Sequence, residues 1–232
     1  AGLIFLATAA VRFFVVEPAP AARPRIGSVR DDLRAVWANR TLLKMLVLLA
    51  VVQMSVMILQ PFITLYVAEL QGRLAGAGLT SGVIFSLAGI AGAIASPLWG
   101  RVGQKIGFSR VLIAAFAGAG LGNLCQYFAG NLWQFGALQF VFGLFFAGAM
   151  LSINALVVKY TDETFRGRAF GATMSANQLG AMIGPLLGGL AAALVGVKMI
   201  FVGTGGLLLT VAVIVAARRR AIFPAAGRTC GR

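Results

Sequence analysis

Basic residues in this chain fall almost entirely in alternate connections between apolar runs, and that sorting limits the folds open to it. Six runs, 42–70, 79–99, 111–129, 133–158, 169–195 and 199–217, are of the length, roughly 20 residues, that a helix needs to cross about 30 Å of hydrocarbon. One set of connections holds Arg23, Arg25, Arg30, Arg34, Arg40 and Lys44, then Arg101, Lys105 and Arg110, then Lys159, Arg166 and Arg168. The tail adds Arg218, Arg219, Arg220, Arg228 and Arg232, so that seventeen of the twenty Lys and Arg residues lie on one side. The other side has Arg73 and Lys198, and Arg12 sits near the inner end of a further apolar stretch, 1–16. Such an excess marks the cytoplasmic face. The expected fold is an all-α, polytopic transmembrane helix bundle with its C-terminus in the cytoplasm.

Composition agrees, since 59% of residues are hydrophobic and only 11% charged. The net charge of +14 is also found in nucleic-acid-binding proteins. Here the charges are dispersed over short loops beside apolar spans, with no nucleic-acid motif, and membrane orientation accounts for them. Anionic lipid headgroups are the expected electrostatic partner. There is no His, and Cys125 and Cys230 lie at opposite ends of the topology, so neither a metal site nor a disulfide framework is indicated. A nucleophile–base pair and a nucleotide-binding loop are also missing from the sequence. No cofactor is expected, and the chain does not read as an enzyme.

Four regions are expected. Residues 1–16 read as the end of a truncated transmembrane helix. Residues 17–41 form a linker, rich in Pro, Ala and Arg over 17–26. Within it Ser28 offers an N-cap with Asp31 as its capping-box partner, and Val29, Leu33, Val36 and Trp37 recur at the spacing of an amphipathic surface helix. Residues 42–217 form a six-helix bundle and 218–232 a basic cytoplasmic tail. Most of the thirty glycines lie inside spans, in patterns such as Gly92–Ser96–Gly100 and Gly180–Gly184–Gly188 that let helix backbones approach closely. Trp99, Trp133, Tyr66, Tyr127 and Tyr160 fall at span ends, where interfacial anchoring is expected.

Two motifs go further. The connection after the second span reads Gly100-Arg101-Val102-Gly103-Gln104-Lys105-Ile106-Gly107-Phe108-Ser109-Arg110. It resembles the G-x-x-x-D-[RK]-x-G loop of the major facilitator superfamily, with Gln104 where that family commonly has Asp. In the fifth span Gly171, Gly180, Gly184-Pro185 and Gly188-Gly189 match G-x8-G-x3-G-P-x2-G-G, a signature associated with the superfamily's drug–proton antiporters. Arg166-Gly167-Arg168-Ala169-Phe170-Gly171 resembles the loop between helices ten and eleven of multidrug exporters. The resemblance implies that the chain is a C-terminal half: the end of helix six, the central cytoplasmic loop, and helices seven to twelve.

Chemistry within the spans is left to uncharged groups. Of the six acidic residues, Glu17, Asp31, Asp32, Asp162 and Glu163 fall in cytoplasmic segments and Glu69 at an outer span end. A membrane-embedded proton carrier is therefore expected in the other half, and Asp162 and Glu163 are read as a solvated pair for Arg166 or Arg168. Gln53, Met57, Gln60 and Thr64 share one helical face, Gln139, Phe146, Met150 and Asn154 another, and Thr173 and Asn177, beside Gln178, a third. Amides, Met and aromatic faces suit an amphipathic organic substrate; interhelical bonding is the alternative for any one of them.

By resemblance, the expected function is secondary active efflux of small amphipathic organic molecules, with protons as the coupling ion. It would operate by alternating access between this half and a missing N-terminal six-helix half, in a bacterial inner membrane. An importer or metabolite permease of the same fold, and a non-transporting membrane scaffold or receptor, are the alternatives.

Overall fold

The computed structural model describes residue 34 and residues 36–162 and 165–223. The expectations for 1–16, 17–26, Ser28, Asp31, Glu163 and 224–232 lie outside these. Among the described residues the chain is helical without strands. α1 spans Arg40–Gln71, α2 Ala77–Ile106, α3 Phe108–Gln126, α4 Leu132–Lys159, α5 Arg166–Val195, α6 Val197–Ala217 and the short α7 Arg219–Ile222. The first six are long and apolar enough to cross a membrane.

Polar residues set the ends. Asn39 caps α1 by accepting from the Leu42 N–H at 3.0 Å and also donates to the Tyr160 carbonyl at 3.3 Å, tying the start of α1 to the end of α4. Asn131 caps α4 through the Gln134 N–H. Pro61, Pro97 and Pro185 all lie inside continuous helices, where neighbouring helices offset the lost backbone bond.

The connection around Gly107 differs from the sequence expectation. Residues 100–110 were expected as a basic turn, yet α2 continues through Gly100, Arg101, Gln104 and Lys105 to Ile106, and Gly107 alone joins it to α3. Nothing between Trp99 and Ile106 breaks a helix, and hydropathy marks where hydrocarbon ends, not where helix ends. Gly107 has φ +93°, a region that a side chain disfavours. Gly196, at φ +83°, makes the same one-residue join between α5 and α6.

Packing follows an internal repeat. α1 packs most extensively on α5, α4 on α2 and α3, and α6 on α3 and α1. Exchanging α1 with α4, α2 with α5 and α3 with α6 maps this pattern onto itself, a relation common in transporter folds. α2 and α5 are the least buried of the six.

Glycine brings the crossings together. A Cβ on Gly184 would stand 2.6 Å from Met57 Cβ and 2.9 Å from the Met54 carbonyl, and one on Gly188 2.6 Å from the Ile58 carbonyl. Gly180 meets the Ala50 carbonyl of α1, and Gly143 of α4 meets Ala88 of α2. Gly171 and Gly189 touch nothing in this way. The reason is angular: Gly171 is nine residues from Gly180, about two and a half turns, and Gly189 is rotated about 100° from Gly188.

The aromatic residues also divide. Trp133 is 90% exposed, as an anchor should be. Tyr66 is 0% exposed; it donates to the Ala129 carbonyl at 3.0 Å and packs against the Phe135 and Phe201 rings at 5.0 and 5.2 Å. Trp99 donates to the Leu144 carbonyl at 2.8 Å, pinning α2 to α4. Tyr66 is a core residue, not a headgroup anchor, because neighbouring helices cover its side of the span; Trp99 is half-buried and adds a helix crossing to its place at a span end.

Candidate functional site

α1, α2 and α4 enclose a cavity of about 200 Å³ that reaches α3. Its apolar wall includes Val56, Leu59, Ile63, Phe85, Phe142 and Phe146, and its polar groups are Gln60, Gln139 and Asn123. Gln60, on the exposed side of α1, faces outward at its edge, whereas Gln139 is only 5% exposed. Among the described residues neither amide has a hydrogen-bond partner. The Phe142 and Phe146 rings stack at 5.6 Å and 18°.

Local sequence explains why the cavity persists. Gly143 lets α4 touch α2 at Ala88, and Gly89, one residue on, carries no side chain that would fill the space. On the far side, Gly122 brings α3 against Phe142. No charged residue lines the wall, so its recognition chemistry is hydrogen bonding and aromatic contact.

Of the residues that the sequence nominated, Gln60, Gln139 and Phe146 meet here. Met57 instead lies at the Gly184 contact, and Thr64 donates to Ser81 of α2 at 3.1 Å. Thr173 is buried and donates to the Ala169 carbonyl in its own helix at 2.8 Å. Asn177 is half-buried with its Oδ1 unpartnered. Gln53 and Met150 are half-buried, and Asn154 and Gln178 are exposed. Among the motif cations, Arg101, Lys105 and Arg110 are exposed, and Arg168 lies 5.9 Å above the Phe165 ring.

Asn123 was not nominated. It is 1% exposed, donates to Thr204 of α6 at 3.4 Å and accepts from Gln126 at 3.5 Å. The signal was present, because Asn123 and Gln126 are a lone amide pair at i, i+3 in an apolar span. Glu69 was noted only for its position; it pairs with Lys198 at 3.3 Å, joining the ends of α1 and α6.

A second hollow, of about 630 Å³, lies against another face of α4 that carries Ala137, Phe140 and Val141. Apart from the Trp133 indole, its polar wall group is Thr80, whose hydroxyl already receives Gln71 at 2.6 Å and donates to the Gly76 carbonyl at 3.2 Å. Of the two, the smaller cavity is the one lined by unpaired amides.

Comparison with known proteins agrees with this architecture. The chain is 28% identical over 210 residues to the Multidrug resistance protein MdtG of Salmonella schwarzengrund (strain CVM19633) and to that of Salmonella paratyphi C (strain RKS4594), covering 90% of this chain and 52% of each relative. The MdtG of Enterobacter lignolyticus (strain SCF1) matches at the same identity over 90% of this chain and 50% of its own length. The chain thus spans about half the length of the curated relatives it matches. Residues 45–228 match the model of the Major Facilitator Superfamily, and with its six membrane-spanning helices the chain belongs to that superfamily.

Proposed function

We propose that the chain is the C-terminal half of a secondary transporter that exports small amphipathic organic molecules, with protons as the coupling ion. The observation that carries this reading is the amide-lined, uncharged cavity among α1, α2 and α4, beside the exposed α1 residues Gln60 and Thr64. Similarity to multidrug resistance proteins supports it. In this reading the substrate path lies between this bundle and an N-terminal six-helix partner, and the two rock about a midplane site. Gln53, Gln60, Thr64, Met150 and Asn154 face that path, and the carboxylate that carries the proton belongs to the partner half, since none of the six acidic residues falls mid-span.

Reconstitution tests it. Proteoliposomes with the full-length protein are expected to move a cationic dye when a proton gradient is imposed, and those with the 232-residue chain alone are not. Saturable, gradient-driven flux by the chain alone, without dimerisation, overturns the half-transporter reading. In the same reading α1 starts in the cytoplasm and Arg73 and Lys198 face outward. A cysteine at position 73 should react with an impermeant maleimide added to intact cells; reaction from the cytoplasmic side alone reverses the topology.

A further inference from the structure

We infer that the cavity among α1, α2 and α4 is a subsite for one uncharged ring of the exported molecule, bearing a substituent that both donates and accepts a hydrogen bond, with Asn123 as its innermost polar contact. This inference rests on the transport reading and deepens it.

Size gives the first argument. The cavity holds about 200 Å³. An apolar cavity of about 150 Å³ admits benzene, whereas drug-sized sites occupy roughly 300–1,000 Å³. One ring with a short substituent fits; a whole multi-ring molecule does not, so the remainder must lie in the wider path outside.

The walls give the second. Phe85, Phe142 and Phe146 offer ring faces and edges, which aromatic groups prefer in offset or edge-on contact. An ionised substituent would lose its hydration here with no counter-charge in the wall. The recognised end is therefore neutral, and any charge on the substrate stays in the path.

Hydrogen-bond inventory gives the third. Gln139 is nine-tenths buried, lines the cavity and has no partner among the described residues. Asn123 spends one N–H on Thr204 at 3.4 Å and one lone pair on Gln126 at 3.5 Å. An amide has two N–H groups and two lone pairs, so Asn123 keeps one of each. Gln126, wholly buried behind it, does not line the cavity, so a ligand's hydrogen bonds fall to Asn123 and Gln139. A carboxamide, lactam or phenol substituent supplies what the two amides lack.

The test uses the full-length protein in detergent and three dyes that share one cationic fluorophore and linker and end in benzamide, phenyl or benzoate. Fluorescence anisotropy gives each Kd. Benzamide should bind about tenfold tighter than benzoate and about fivefold tighter than phenyl. Asn123→Leu and Gln139→Leu should each erase the benzamide-over-phenyl preference while phenyl binding changes less than about twofold. Because Asn123 also bonds α6, a third variant avoids its network: Gly89 lines the cavity, and a Cβ there meets nothing within 4 Å. Gly89→Leu should weaken all ring-ended dyes to the level of the fluorophore and linker alone, with an unchanged elution profile. Equal binding of the three dyes by the parent, or an undiminished benzamide preference in folded Gly89→Leu, overturns the subsite. Failure of transport itself is read separately: the parent then drives no flux of the ring-free dye in proteoliposomes.

Discussion

The two flanks of α1 do opposite things with the same kind of helix. Toward α5, Gly180, Gly184 and Gly188 bring backbone against backbone, and no atom can be added. Toward α4 and α2, the helices stand apart around a cavity whose amides have capacity to spare. What differs is side-chain volume at the crossing and whether polar groups are paired. Without a hydrophobic drive between spans, dispersion at close approach sets which helices hold; unpaired amides then mark where they do not.

The largest effect should come from closing the tight flank. Gly184→Leu drives a side chain into Met57 and the Met54 carbonyl, and is expected to destabilise by about 3 kcal/mol or more. It should appear as aggregated protein on size-exclusion chromatography and a lowered thermal midpoint. The paired control is Gly189→Leu, whose Cβ has nothing within 4 Å and which should stay within about 0.5 kcal/mol of the parent. Equal damage from both would end the distinction between the contacting and free glycines.

An intermediate effect, of opposite sign, is expected at the loose flank. Gln139→Leu removes an amide that opens on the cavity and has no partner among the described residues, and should raise stability by about 0.5 kcal/mol or more as a solvated polar group gives way to an apolar one, while altering the substrate profile. A destabilisation of that size would mean that the amide holds helices together and faces no ligand.

The smallest stability effects belong to the exposed amides. Gln60→Ala and Asn154→Ala should each change thermal stability by less than about 0.5 kcal/mol, yet shift the resistance profile of cells carrying the full-length protein. If they misfold, the polar face of α1 and α4 is a packing face and the comparison inverts.

The six spans could be read from the sequence because a bilayer imposes one length and one solvent on every helix. The end of α2 could not: its extension beyond the apolar run to Ile106 obeys helix propensity, and a hydropathy window is blind to it. Gln60, Gln139 and Phe146 were found by periodicity on their own helices. Asn123 was missed because α3 is a fourth helix at the cavity, brought there by the contact of Gly122 with Phe142; the amide pair is visible in the sequence, but periodicity within one span carries no information about which neighbour it faces. Tyr66 was misplaced for the same reason. Its place near the end of α1 is legible in the sequence, but the cover that Phe135 and Phe201 give its side of the helix is not.

The one-residue join at Gly107 couples two helices mechanically. With a single residue between Ile106 and Phe108, and about 3.5 Å of chain per residue, the facing ends of α2 and α3 cannot draw apart or slide past each other by more than that reach. Any motion that displaces the exposed cations Arg101 and Lys105 at the end of α2 is passed to Arg110 at the start of α3, so the two helices shift as one hairpin.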